Sequence, residues 1–457
     1  MRREEDYLGE VELPSEAYYG VHTFRALNNF PTTRERFDEK FIWAYFMVKK
    51  AAASLNMELG YLGEHEGNAI MKVCDEWEEL MKHVVVDPLC GGAGTSINMN
   101  INEVIANRAT ELLGGKLGEY KIHPIDHVNL HQSTNDTFPT AAKMAVIVRN
   151  EELVEEIIKL QEVIQEKEKE FYAVRKPGRT QLMDGPPIML GQEFGAFADA
   201  LARDRWRLNK VEERIRSVNM GGTAIGTGIG APKNFVLRIV DRIREISRVK
   251  IAKAENLIDA TQNWDVFSEV HGLLKSLAVN LYKISNDIRL LASGPNTAIG
   301  ELIPPEIQAG SSIMPGKINP VIPEYAIQLC LSVFGHDVIV TQACASGNLE
   351  LNQFAPLIVH YTLKSIMFLK NACVALREYV KRIKANEERC AENLKRSVSN
   401  LTPLINLFGY EKVSRAIKKA SWDIEKTLKI LAEEENESFE ELSKKLNLKR
   451  MTGLGYH

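Results

Sequence analysis

The 457 residues carry 57 basic and 61 acidic side chains, a formal charge of -4, and are 45% hydrophobic. That mixture leaves no dominant field to hold nucleic acid or an anionic membrane, and it supplies more apolar material than one ordinary core takes up; two or three domains and small-molecule chemistry are expected. Six cysteines without a CxxC pair read as reduced thiols, not as the framework of a small secreted domain.

The opening MRREEDYLGEVELPSEAYYG is charged and has no apolar segment of the kind that leads a secreted chain. The chain has no run of about 18 apolar residues, so the cytoplasm is the expected compartment and no membrane partner is expected. An alternating pattern at 6–12 predicts a strand. Two polar, glycine-marked segments come next, GGAGTSINMN at 91–100 and HPIDHVNLHQSTNDTFPT at 123–140. From 141 to 176 there is neither proline nor glycine, and Leu153, Ile157, Leu160 and Ile164 recur at helical spacing, which predicts a long helix with one apolar stripe. GRTQLMDGPP at 178–187 is the third polar segment and GSSIMPGKINP at 310–320 the fourth. Residues 264–293, 323–346 and 357–402 are further long stretches with few or no breakers and predict helices. After Pro403 the chain turns strongly charged, and EEENESFEELSKKLNLKR reads as short surface helices. The expectation is a mainly α protein with domains at 1–139, 140–395 and 396–457, the middle one a long helical bundle.

The four polar segments are where chemistry is sought. In GSSIMPGKINP, Lys317 offers a point charge for a carboxylate, and backbone N–H groups around the glycines can form an anion-binding nest or stabilise a serine alkoxide. An ordinary Ser/Pro/Gly turn uses the same residue types. Thr95 and Ser96, and likewise Ser133, Thr134 and Asn135, can cap helices, and a capped helix start still presents N–H groups to a carboxylate. His123, Asp126 and His127 have metal-ligand spacing, but no third ligand cluster accompanies them, and a hydrogen-bonded loop is the better reading. His131 reads as a packing or hydrogen-bonding histidine. Ala-Ser-Gly at 292–294 and 345–347 could in principle cyclise to an electrophile, but both copies end helical stretches, where glycine is a natural terminator. No dinucleotide, P-loop or nucleophile-elbow string is present, so neither cofactor nor metal is expected.

Taken together, GSSIMPGKINP, HQSTNDTFPT and GGAGTSINMN resemble the three signature regions of the aspartase/fumarase superfamily, in the same order. The resemblance extends through AYYGVHT at 17–23, GRTQL at 178–182, GGTAIGTG at 221–228 and NDIRLLASGP at 286–295, and so covers essentially the whole chain. Gly94-Thr95-Ser96, the opening segment and Gln181 look like the aspartase branch; fumarases usually carry Gln at the position of Ser96 and His at that of Gln181. Ile125, Leu130-His131 and Met183-Asp184-Gly185 depart from the family pattern. The resemblance implies a three-domain helical fold, a homotetramer whose sites draw on three subunits, and reversible deamination of L-aspartate to fumarate and ammonia without a cofactor. Fumarate hydration and a catalytically silent structural role are the alternatives within the superfamily. By resemblance, Thr95 with Ser96, Ser133, Thr134 and Ser312 hold the β-carboxylate, and Thr180, Lys317 and Asn319 hold the α-carboxylate. Asn135 with Gln181 orients the amine, and Ser311 removes the proton, giving an aci-carboxylate.

Overall fold

A computed structural model describes residues 1–446 and 451–453. The chain opens on a hairpin, β1 (Arg2–Asp6) against β2 (Gly9–Leu13), with Arg2 facing Leu13 and Asp6 facing Gly9. The strand expected at 6–12 is thus present from Gly9 as β2, but a turn at 7–8 separates it from Asp6, which ends β1. The Asp6 carboxylate accepts the Leu8 N–H at 2.9 Å and Gly9 is left-handed at φ +114°, so the chain reverses in the middle of that span.

Beyond this hairpin helices dominate. α1 (Glu39–Glu58) starts where the Asp38 side chain accepts the Lys40 N–H, and α2 (Thr95–Leu112) starts after left-handed Gly94. α3 (Thr134–Glu170) is the long helix expected from the sequence, and its Leu153, Ile157, Leu160 and Ile164 stripe is buried as the spacing required. It begins earlier than the breaker-free stretch, because Pro139 lies inside it near the first turn. The GRTQLMDGPP segment is a second hairpin, β3 (Arg175–Thr180) with β4 (Met183–Met189), and is the main departure from the expected loop. α4 (Leu190–Leu208), α5 (Asp265–Leu291), α6 (Val321–Ala345) and α7 (Ala355–Val380) complete the set of long helices.

The uninterrupted helix expected over 357–402 is broken after Val380. Lys384–Ala385 pairs with Leu302–Ile303, and the Asn386 side chain then accepts the Arg389 N–H to start a new helix, Glu387–Arg396. The Asn386 side chain thus caps the new helix, and no proline or glycine marks the break before it. Beyond Pro403, Tyr410–Lys419, Ile424–Glu435 and Phe439–Lys445 are short helices closing on Leu401, Leu404, Val413 and Leu431. The Asn447 to Arg450 part of the charged tail lies outside the described residues.

The chain packs as two compact units, one of Met1–Glu155, Asp204–Ala278 and Cys330–Lys370, the other of Glu156–Arg203, Val279–Leu329 and Asn371–His457. In the first, Phe41, Tyr45, Phe138, Trp264 and Phe267 are all buried and form a run of ring contacts from 4.9 to 6.4 Å. Each such ring contributes about 1.5–3 kcal/mol through burial. Phe138 lies so close under Gly94 that a Cβ there would sit 2.4 Å from its ring, so the starts of α2 and α3 share one core contact. In the second unit Phe171, Phe194 and Phe197 pack at 5.1 and 5.6 Å.

Candidate functional site

The first unit holds Thr95, Ser96, Ser133, Thr134 and Asn135. Thr95 opens α2 without acting as its cap: Gly94 occupies the cap position, and the Thr95 N–H itself goes to the Gly92 carbonyl at 2.9 Å. The capping role open to Thr95 is thus not taken. Ser96 is only 6% exposed, and burial opposes ionisation of the nearby Cys90 thiol. Thr95 borders a cavity of about 470 Å³ whose wall includes Asp6, His22, Arg25, Gly91 and Gly92. Arg25 is held by Asp6 through two bonds of 2.7 and 2.9 Å, and burial lowers the affinity of His22 for a proton. Neither residue was singled out from sequence. Both lie in or beside the AYYGVHT string, but no spacing rule connects that string with Gly91 or Thr95.

At the start of α3, Ser133 does cap: its hydroxyl accepts the Asn135 N–H at 3.2 Å while the Asp136 carboxylate accepts the Ser133 N–H at 3.0 Å, a reciprocal capping box. Thr134 is buried beside it. The approach to this turn is braced from below. Lys49 on α1, wholly buried, donates to Asn129 Oδ1 at 2.9 Å and Gln132 Oε1 at 3.0 Å, and Asn98 and Asn102 of α2 donate to the same Asn129 oxygen at 3.2 Å. Tyr45 bonds Thr137 at 3.0 Å. Burial pulls the Lys49 ammonium down to about 7 and pushes the Asp136 carboxyl up to about 6, each eased by the other's opposite charge. Lys49 therefore weakens folding while it must carry charge, fully below about 7. The penalty fades as the pH rises toward the 10.5 of the unfolded chain, because the folded form then sheds a proton the unfolded form keeps. The thermal midpoint of wild type relative to Lys49→Met is expected to climb between pH 7 and 9; a pH-independent difference would show that Lys49 titrates normally.

The histidines of the 123–131 segment are committed to structure. His123 Nδ1 accepts the Asp126 N–H at 3.1 Å, His127 Nδ1 accepts the His123 N–H at 2.9 Å, and no group of three or more His, Cys, Asp or Glu side chains among the described residues is arranged to hold a metal. His131 is left-handed at φ +62°, bonds Asn56 at 2.7 Å, and packs against Tyr61 and Phe235, the hydrogen-bonded packing role expected of it. The Ala-Ser-Gly copies lie at the ends of α5 and α6; Gly294 is left-handed at φ +117° and Ser293 bonds back to the Leu290 carbonyl.

The second unit holds Thr180, Gln181, Ser311, Ser312, Lys317 and Asn319. Gln181 and Leu182 form the two-residue turn of the β3–β4 hairpin, both left-handed at φ +54° and +65°. A primed turn of this kind favours Asn-Gly, so two residues with larger side chains there store strain, the pattern seen where a side chain must be aimed. Just before the turn, Arg179 makes a two-pronged bond of 2.7 and 2.8 Å to Glu301, which is fully buried and also pairs with Lys176 at 3.3 Å. The 310–320 loop is closed at its neck: the Gly310 N–H donates to the Lys317 carbonyl at 2.8 Å and Asn319 Nδ2 donates to the Gly310 carbonyl at 2.7 Å. A side chain at Gly310 would meet the Lys317 carbonyl oxygen at 2.5 Å, so glycine is required there. Asn319 is thereby a brace of the loop as well as a candidate ligand. Inside the loop the Ser311 hydroxyl oxygen accepts two backbone N–H groups, from Ile313 at 3.2 Å and Met314 at 3.0 Å. Ser312 and Lys317 lie on the same loop, both exposed.

A lyase family model matches residues 9–335. An aspartate ammonia-lyase from a Bacillus species is 44% identical over 92% of this chain and 91% of its own length, and that of Escherichia coli K12 is 44% identical over 90% and 87%. Among solved structures, a fumarate lyase/delta crystallin from Brucella melitensis bound to cobalt is 42% identical with a TM-score of 0.93, covering 99% of this chain and all of that one. A class II fumarase from Schistosoma mansoni is 30% identical with a TM-score of 0.89, covering 98% of each.

Proposed function

Since the chain belongs to the lyase family, within its aspartase/fumarase superfamily, we propose that it is a carbon–nitrogen lyase interconverting L-aspartate with fumarate and ammonia. The observation that carries the mechanism is the pair of N–H groups aimed at Ser311 Oγ. Removing the proton beside the β-carboxylate needs a strong base, and a serine hydroxyl becomes one only if its alkoxide is stabilised. Two fixed backbone donors do this without bringing an acid near it. Thr95, Ser133, Thr134 and Ser312 supply neutral donors for the β-carboxylate, with Ser96 supporting the turn. Thr180, Lys317 and Asn319 hold the α-carboxylate, and Asn135 with Gln181 takes the amine. Mixing the protein with L-aspartate and monitoring the ultraviolet absorbance of the fumarate double bond tests the reading, with L-malate in parallel. Fumarate from malate but not from aspartate would make the protein a hydratase, and fumarate from neither would make it a silent member of the superfamily.

Lys317→Met is expected to raise KM for aspartate at least about tenfold with little loss of stability, because a lysine on an open loop has little packing to lose and one charge-assisted bond to give. An unchanged KM would remove Lys317 from the site. We also propose a homotetramer with shared sites. α6 has a mean hydropathy of 1.3 over its most apolar window, yet only 39% of that window is buried within the chain, and it leaves Leu331 and Val338 more than half exposed. Apolar helix surface of this kind needs a partner helix. Sedimentation is expected to give four times the monomer mass of 51.4 kDa, and a stable monomer at micromolar concentration would refute the shared site.

A further inference from the structure

The GGTAIGTG string at 221–228 has no role in the proposed mechanism, yet it and nearby Asn219 are tied to the start of α3 by four hydrogen bonds. The two oxygens of Asp136 divide their work. Oδ1 takes the Ser133 N–H and completes the helix cap, while Oδ2, which the cap does not need, takes the N–H groups of Gly221 at 3.2 Å and Thr223 at 2.9 Å. Pro139 lacks the N–H that would close the helical bond to the Asn135 carbonyl, and that carbonyl instead accepts Asn219 Nδ2 at 2.9 Å. On the side-chain side, Asn135 Nδ2 donates to the Ala224 carbonyl at 2.7 Å.

The loop is held in a conformation it would not choose alone. Thr223 is β-branched and left-handed at φ +53°, and its side chain is buried, so it stays there only because its neighbours over-determine it. Gly226, left-handed at φ +89°, lies so tightly on Ile258 that an added Cβ would fall 2.4 Å from backbone atoms. Buried carboxylate, strained threonine and crowded glycine together place one carbonyl, that of Ala224, against one amide.

We propose that this loop selects the substrate amine, with Asp136 and the Ala224 carbonyl as positioning groups acting through Asn135. A carbonyl only accepts, so it obliges Asn135 to turn its NH2 toward Ala224 and leaves Oδ1 as the face for substrate. An ammonium group only donates, and an oxygen acceptor fixed in place binds it without first having to reorient. Without the Ala224 carbonyl the Asn135 amide is free to flip and present donors to a donor. The inference rests on the reading that Asn135 meets the amine.

Running the reaction backwards separates the two substrates, since ammonia alone reports on Asn135 while fumarate reports on the carboxylate ligands. Asp136→Asn keeps the shape of the cap but turns an NH2 toward the Gly221 and Thr223 N–H groups or toward Ser133. It is expected to raise KM for ammonia by about 10- to 100-fold, the range of a hydrogen bond to a charged group, while KM for fumarate stays within about twofold. Gly226→Ala displaces the loop without touching the buried carboxylate, and it is expected to show the same split should the Asp136 variant fail to fold. A joint rise of both KM values, or no rise for ammonia in a folded variant, overturns the proposal while leaving the lyase reading intact. Wild-type protein that makes no aspartate from fumarate and ammonia overturns both.

Discussion

Ser311→Ala is expected to lower kcat for aspartate about 10³-fold or more while KM and the thermal midpoint change little. The size follows from the proposed role of the hydroxyl, since general-base catalysis contributes about 10²–10⁴-fold. Stability is spared because Ser311 accepts two N–H bonds on a half-exposed loop, and water can replace it as their acceptor. The rival base is His131, whose affinity for a proton burial lowers. Its ring already bonds Asn56 and packs between Tyr61 and Phe235, which suits a structural side chain better than one that must swing to a substrate. Parallel kinetics on Ser311→Ala and His131→Asn decide the matter. A serine variant with near-normal turnover beside a folded but inactive histidine variant would transfer the role.

The largest loss of stability is expected from Glu301→Ala, about 3–5 kcal/mol, because the change leaves buried cations without their counter-charge. Lys176 is 1% exposed and Arg179 17%, and both look to Glu301 for balance; Lys176 keeps only its 2.8 Å bond to Glu193 as an ion pair. Asn393 also loses one of its two acceptors, the Glu301 oxygen at 3.0 Å. The damage should reach activity as well, since Arg179 is the residue before Thr180 and its two-pronged bond anchors the strained Gln181–Leu182 turn. A drop of many degrees in the thermal midpoint together with a raised KM for aspartate is the expected pair of results. A stable variant with wild-type kinetics would show that Arg179 and Lys176 find other partners. Glu301→Gln, which keeps one acceptor oxygen, should fall between.

Helices and strands were unequally legible. The α3 stripe at Leu153, Ile157, Leu160 and Ile164 was plain because its period matches one face of a helix, and 264–293 and 323–346 were plain because they are long and carry few breakers. The break at 381–386 was hidden, since no proline or glycine marks it and the new helix starts through an Asn386 side-chain cap that leaves no mark in composition. The β3–β4 hairpin was hidden for a related reason: a two-residue primed turn normally shows itself by Asn-Gly, and here the turn is Gln181-Leu182, strained and held by Arg179 and Glu301 from outside.

For the site, the amino-acid sequence by itself determined which residues are candidates, because Ser311, Lys317, Ser133, Thr134, Asn135 and Thr95 lie in short strings whose residue types suit a carboxylate site and whose order matches one superfamily. Only the tertiary structure decided what those residues are free to do. It gave the Ser311 oxygen two N–H donors, assigned the helix cap to Ser133 and withheld it from Thr95, and buried Ser96. It also brought Thr223 to Asp136 and Ala224 to Asn135 across more than 80 positions of chain. Motifs are local, and so are read from spacing. The donors and acceptors that aim a motif's side chains come from segments far away in the chain, and their arrival depends on packing that no local pattern encodes.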